Sequence, residues 1–98
     1  MQIQVNTDHH IKGGEDLAAR VQQMVGHSID HFSDRITRIE VHLSDENSSK
    51  HGQNDKRCML EARLAGLQPI AVTHQAESLQ LAIDGATDKL EKALGHAL

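Results

Sequence analysis

Ninety-eight residues suffice for one two-layer domain, and with Phe32 as the sole aromatic its core must come from Leu, Ile, Val, Met and Ala. A net charge of −4, with the eight histidines neutral, argues against a strongly basic nucleic-acid binder, whose footprint is a surplus of Lys and Arg. The single Cys58 excludes an internal disulfide and suits a reducing cytosol, while no apolar run reaches membrane-spanning length and no targeting peptide is visible ahead of the first strand.

Met1 to Thr7 alternates, with Met1, Ile3 and Val5 on one face and Gln2, Gln4 and Asn6 on the other, which predicts a half-buried strand. Asp8 to Gly14 reads as a loop, where Gly13-Gly14 can supply unusual dihedrals before a helix. Glu15 and Asp16 place negative charge in the first turn, as the helix dipole favours. The spacing of Leu17, Val21, Met24, Val25, Ile29 and Phe32 predicts a helix running to about Phe32, with Gly26 roughly opposite that stripe.

Ile39, Val41 and Leu43 alternate with Arg38, Glu40, His42 and Ser44 to give a second strand. The polar run Asp45 to Asp55 has no apolar anchor and predicts a mobile, disordered hairpin loop. A third strand follows, Cys58, Leu60, Ala62 and Leu64 inward and Arg57, Met59, Glu61 and Arg63 outward. Gly66 to Pro69 turns the chain into a fourth strand, Ile70 to Gln75. Ser78 stands where a helix wants an N-cap acceptor, and Leu79, Ala82, Ile83, Ala86, Leu90, Ala93, Leu94 and Ala97 form one apolar stripe. Asp88 and Lys92 make an i,i+4 pair in the better orientation on the wet side of that last helix.

The predicted fold class is α+β, a two-layer β-α-β-β-β-α domain over residues 1–98. A four-stranded mixed sheet carries two helices packed on one face, because only one face of each strand is apolar. The first two strands should run parallel through a right-handed crossover and the others antiparallel.

Few residues suggest covalent chemistry. His27 and His31 have a spacing that can chelate a metal, but no third ligand is implied, so neither a metal site nor a cofactor is expected. Cys58 has inward parity and reads as a small hydrophobe. Asp84 and Asp88 sit on an exposed helix face with no pocket implied, and no phosphate-loop pattern occurs, so no enzyme and no small-molecule substrate is expected. The basic residues remain: Arg57 and Arg63 on the outer face of the third strand, Arg38 beside them, Lys56 at the loop mouth, Arg35 before the second strand, and Lys89 and Lys92 on the last helix. Phosphate contact needs such charges on one surface, and base stacking would need aromatics this chain lacks.

The run Ile70-Ala71-Val72-Thr73-His74-Gln75-Ala76-Glu77-Ser78-Leu79, leading into Ala82-Ile83-Asp84-Gly85 and Asp88-Lys89-Leu90, resembles the end of the ribosome hibernation-promoting factors. These are the ribosome-associated inhibitor or sigma-factor modulation family, in which a last strand enters a helix reading roughly A-I-D-x-x-x-D-K-L. The looser resemblance spans the whole chain. It implies a cytoplasmic, non-enzymatic factor that sits on the small ribosomal subunit in the mRNA and tRNA channel, touches ribosomal RNA through Lys and Arg, and silences idle ribosomes. Lys89 matches the lysine of the D-K-L step and Asp84 and Asp88 its acids, while Arg57, Arg63 and Lys92 fall at looser equivalents. Family domains are usually more basic, whereas the predicted helix of residues 15–32 has only Arg20. With no dimerisation domain after the last helix, the chain resembles the short form and is expected to be a monomer.

The RNA-binding set is therefore Arg35, Arg38, Lys56, Arg57, Arg63, Lys89 and Lys92. Two other readings stay open. One is a divergent adaptor of the same fold that binds a protein partner and leaves RNA alone. The other is a metal- or pH-responsive module that uses the histidines. Convergence of the basic residues on one surface would separate the RNA reading from the adaptor.

Overall fold

A computed structural model describes residues 1–8, 11–46 and 55–98. Strand β1 (Gln2–Thr7) leads to helix α1 (Gly14–Ser28), a 3₁₀ segment over Asp30–Arg35, strands β2 (Ile36–Asp45), β3 (Lys56–Leu64) and β4 (Ile70–Ala76), and helix α2 (Leu79–Ala97). The sheet order is β1-β2-β3-β4, with β1 parallel to β2 and the other neighbours antiparallel. This is the predicted mixed sheet. Residues 47–54, which hold most of the predicted disordered loop, and His9 and His10 lie outside the described residues.

Period-2 alternation decides which face of the sheet is covered. Ile39, Val41 and Leu43 of β2 and Cys58, Leu60 and Ala62 of β3 are at most 2% exposed, while their neighbours in sequence are only partly covered or exposed. Helix α1 packs on β1 and α2, and α2 packs on β3 and β4, so the helices form a single second layer. Their stripes complete the core: Leu17, Val21 and Val25 from α1, and Ala82, Ile83, Ala86, Leu90 and Leu94 from α2. At the sheet margins Ile3, Val5, Ile70 and Val72 are only partly buried, as is Leu79, because edge strands have cover on one side only.

Helix α1 stops earlier than its apolar stripe suggests. Ile29 caps it in a non-helical conformation and is fully buried, and the chain tightens into the 3₁₀ segment, Phe32 N–H donating to the Ile29 carbonyl at 2.9 Å. Asp30-His31-Phe32-Ser33-Asp34 are all weak helix formers, so nothing local opposes the break. Two expectations change with it. Phe32 is half-buried beside the core, its ring 4.1 Å from that of His31, and His27 and His31 no longer lie on one helix at i,i+4. Gly26 also faces inward: an added Cβ would lie 3.3 Å from Ile3 Cδ1, so the glycine lets α1 approach β1.

Strand β2 begins three residues before the alternating Ile39, through an irregularity of register between Ile36 and Arg38. The extra residue lets Ile36, 3% exposed, point inward like Ile39, while Thr37 bonds outward to the Arg63 carbonyl at 3.0 Å. Gly14, at φ +64°, supplies the left-handed residue at the start of α1. Ser78 caps α2 as expected, its hydroxyl accepting from Leu81 N–H at 3.1 Å.

The last helix meets the last strand through Gly85. A Cβ there would fall on the ring of His74, which has inward parity on β4 opposite Cys58. Thr87 is the one buried polar residue of the described core, and its hydroxyl returns a bond to the Ile83 carbonyl at 2.7 Å.

Candidate nucleic-acid interface

The face of the sheet away from the helices is open and polar. Its residues are set by the register: Arg38 pairs with Arg63, Glu40 with Glu61, His42 with Met59 and Ser44 with Arg57 across β2 and β3. Gln2, Gln4 and Asn6 extend these rows onto β1, and Ala71, Thr73 and Gln75 onto β4. Three of the seven predicted contact residues, Arg38, Arg57 and Arg63, therefore share one surface.

That surface carries its own counter-charge. Glu40 Oε2 accepts from Arg38 Nη2 at 2.7 Å and lies 3.5 Å from Arg63 Nε, while its other oxygen is 3.6 Å from His42 Nε2. Arg63 also reaches Glu61 at 3.3 Å, and Arg57 lies 3.7 Å from Glu46. The two glutamates stand directly opposite each other, an arrangement that is repulsive alone and is relieved by the flanking arginines. The Glu40 side chain is only 18% exposed, so its pairs are half-buried rather than freely solvated, and they lower the positive potential available to a phosphate. Arginine also presents five donors in a planar fork, so a guanidinium holding one carboxylate keeps N–H groups for a second acceptor.

The other four predicted residues lie elsewhere. Lys56, the first residue of β3, sits between Asp45 and Asp55 at 3.3 and 3.1 Å, and hydrogen bonding to Asp55 raises its pKa. Arg35 ends the 3₁₀ segment at the opposite end of the β2–β3 ladder, where its carbonyl accepts from Ala65 N–H. Lys89 and Lys92 belong to the helix layer. Lys92 pairs with Asp88 at 3.2 Å, the i,i+4 bridge read from the sequence. Lys89 reaches over β4, its Nζ donating to the Thr73 carbonyl at 2.8 Å.

Glu40 and Glu61 are functional neighbours of the arginines that strand alternation places on the same face without showing the pairing. The alternation was sufficient to find them. What was missing was the register that sets Glu40 between Arg38 and Arg63.

On the helix side, an open groove runs between α1 and α2, lined by Arg20, Gln23, Met24, His27, Ser28, Gln80 and Asp84. Among the described residues no three His, Cys, Asp or Glu side chains come together as a metal site. Burial pushes the Cys58 thiol up to about 12, so it holds no thiolate at neutral pH. No helix among the described residues is long and apolar enough to cross a membrane.

Fold and surface together define a small α+β domain with a charged, open sheet face. A family model described as sigma 54 modulation protein / S30EA ribosomal protein matches residues 3–97, and the chain belongs to that family. It is thus a ribosome-associated protein of the modulation and hibernation type. The fold is similar to that of the N-terminal domain of Protein Y from Thermus thermophilus, at 21% identity and a TM-score of 0.77, with all of both chains covered. It is also similar to a ribosomal subunit interface protein from Coxiella burnetii, at 18% identity and a TM-score of 0.76, covering 99% of this chain and 97% of that one. No curated protein matches the sequence.

Proposed function

We propose that residues 1–98 form a single non-enzymatic domain that binds the small ribosomal subunit through ribosomal RNA backbone and holds idle ribosomes out of translation. The family match along residues 3–97 carries this reading. The protein then acts in the cytoplasm as a monomer and needs no cofactor. Arg38, Arg57 and Arg63 are the proposed RNA-facing set on the open sheet. Arg35, Lys56, Lys89 and Lys92 extend it only where the RNA wraps around an edge, because they lie off that face. With no aromatic on the open face, recognition rests on phosphate charge and shape.

Sucrose-gradient sedimentation of tagged protein from stationary cells tests the reading. Wild type should travel with small subunits and dissociate steeply with salt as counterions return to the RNA. Replacing Arg57 and Arg63 together should flatten that salt slope by roughly one unit per lost contact. The charge reversals Arg57→Glu and Arg63→Glu should weaken binding further. Co-sedimentation that neither variant changes would keep the ribosome and remove these two residues from the interface.

The adaptor reading has one observation in its favour. Glu40 and Glu61 offset two of the three arginines on the open face, in keeping with a net charge of −4. Wild type that never meets small subunits, even at low salt, would give it precedence.

A further inference from the structure

Both edge strands of this sheet lack formal charge: QIQVNT of β1 and IAVTHQA of β4 contain no Lys, Arg, Asp or Glu. An edge strand exposes unpaired N–H and C=O groups that can template pairing with another chain, and proteins commonly blunt it with charge on the strand itself. Here the helix layer supplies the block. Gln22 Nε2 of α1 donates to the Ile3 carbonyl at 3.1 Å, and Lys89 Nζ of α2 donates to the Thr73 carbonyl at 2.8 Å.

The second bond falls at a particular place. Thr73 is the middle residue of the seven in β4. In an antiparallel ladder the N–H and C=O of one residue point to the same side, so the Thr73 amide lies on the open edge with its carbonyl. A two-fold pairing of β4 with another β4, centred on Thr73, would have the two Thr73 residues exchange both backbone bonds. Ala71 would then face Gln75, Val72 would face His74 and Ile70 would face Ala76. No like charges meet in that register, and its β-branched and small side chains suit cross-strand contact. The pairing is also isologous, so it closes at two copies. The ammonium of Lys89 occupies its centre.

We propose that the β4 edge is a latent strand-addition surface for a second copy of this chain, held closed by the Lys89–Thr73 bond. A second copy fits better than an unrelated strand because the blocked carbonyl coincides with the one centre that makes the whole strand self-complementary. The resemblance assigns Lys89 to RNA; this bond gives it a second task within the chain.

Sedimentation equilibrium over a range of concentrations tests the proposal on wild type, K89R, K89M and the double variant K89M/T73P. Wild type and K89R should stay at the monomer mass of 10.8 kDa. K89M should shift towards twice that mass as concentration rises, with an unchanged circular dichroism spectrum. Adding T73P should restore the monomer, since proline removes an N–H that faces the open edge and costs no bond to β3. A folded, monomeric K89M overturns the proposal, as does a dimer that survives T73P and so forms elsewhere. K89Q repeats the test with a shorter side chain. Loss of the fold in both K89M and K89Q also counts against the proposal, because a guard at the edge should leave the core intact.

Discussion

The two faces of the one sheet are held by different forces. The helix-covered face is a continuous apolar layer in which Ile39, Val41, Leu60 and Ala62 are fully buried. On the open face, one carboxylate, Glu40, is shared between Arg38 and Arg63, with His42 nearby. Burial is non-directional and roughly proportional to area, so the covered face tolerates little loss of volume. Charge pairs in water contribute little to stability, so the open face can change composition and still fold. Function can therefore reside on the open face without endangering the core.

The largest expected effect breaks the covered face. Ile83→Ala, at 2% exposure under α2, should cost about 2–5 kcal/mol in urea melts. A loss below about 1 kcal/mol would place Ile83 outside the core and discredit the helix register.

Next is the alkaline limit. Burial raises the Cys58 thiol from 9.0 to about 12, so between those values the unfolded chain gives up a proton that the folded chain keeps. Stability from the neutral thiol is therefore complete below pH 9 and falls as pH rises, by at most about 1.4 kcal/mol per pH unit. Cys58→Ala should lose that alkaline slope relative to wild type while keeping the same profile below pH 9. Equal slopes in the two proteins would show Cys58 to be accessible to solvent.

Gly85→Ala tests the join between the last strand and the last helix. The methyl group would meet the His74 ring, an overpacking that typically costs about 1–3 kcal/mol, partly offset by the better helix propensity of alanine. His74→Ala in the same chain should return most of the loss, giving a coupling energy of opposite sign in a double-mutant cycle. Additive losses would mean that α2 does not lie on His74.

The smallest effect sharpens the contrast from the other side. Glu40→Gln should change stability by only about 1 kcal/mol, since it removes the charge of a half-buried network but keeps the packed volume and an amide that can still accept from Arg38. If the open face binds RNA, the same change should tighten binding to small subunits at low salt by freeing two guanidiniums. Unchanged or weaker binding would show that Glu40 does not compete with phosphate.

What the sequence by itself determined is whatever depends on neighbours within a turn or along a strand. The alternation from Arg57 to Leu64 fixed both faces of β3, because successive side chains must point opposite ways. Ser78 announced the start of α2, and Asp88 and Lys92 announced their bridge, since cap and i,i+4 contacts are local. The motif around Lys89 pointed to the family. Only the tertiary structure decided the rest. α1 ends at Ser28, although the stripe continues in sequence, because Ile29 is buried and the chain turns towards β2 through residues whose weak helix propensity does not resist the break. Glu40 reaches Arg63 because of a register between strands separated by a polar stretch of sequence, and no local pattern encodes it. The same holds for Gly85 over His74 and for Lys89 over Thr73: each joins a helix to a strand through space, where periodicity carries no information.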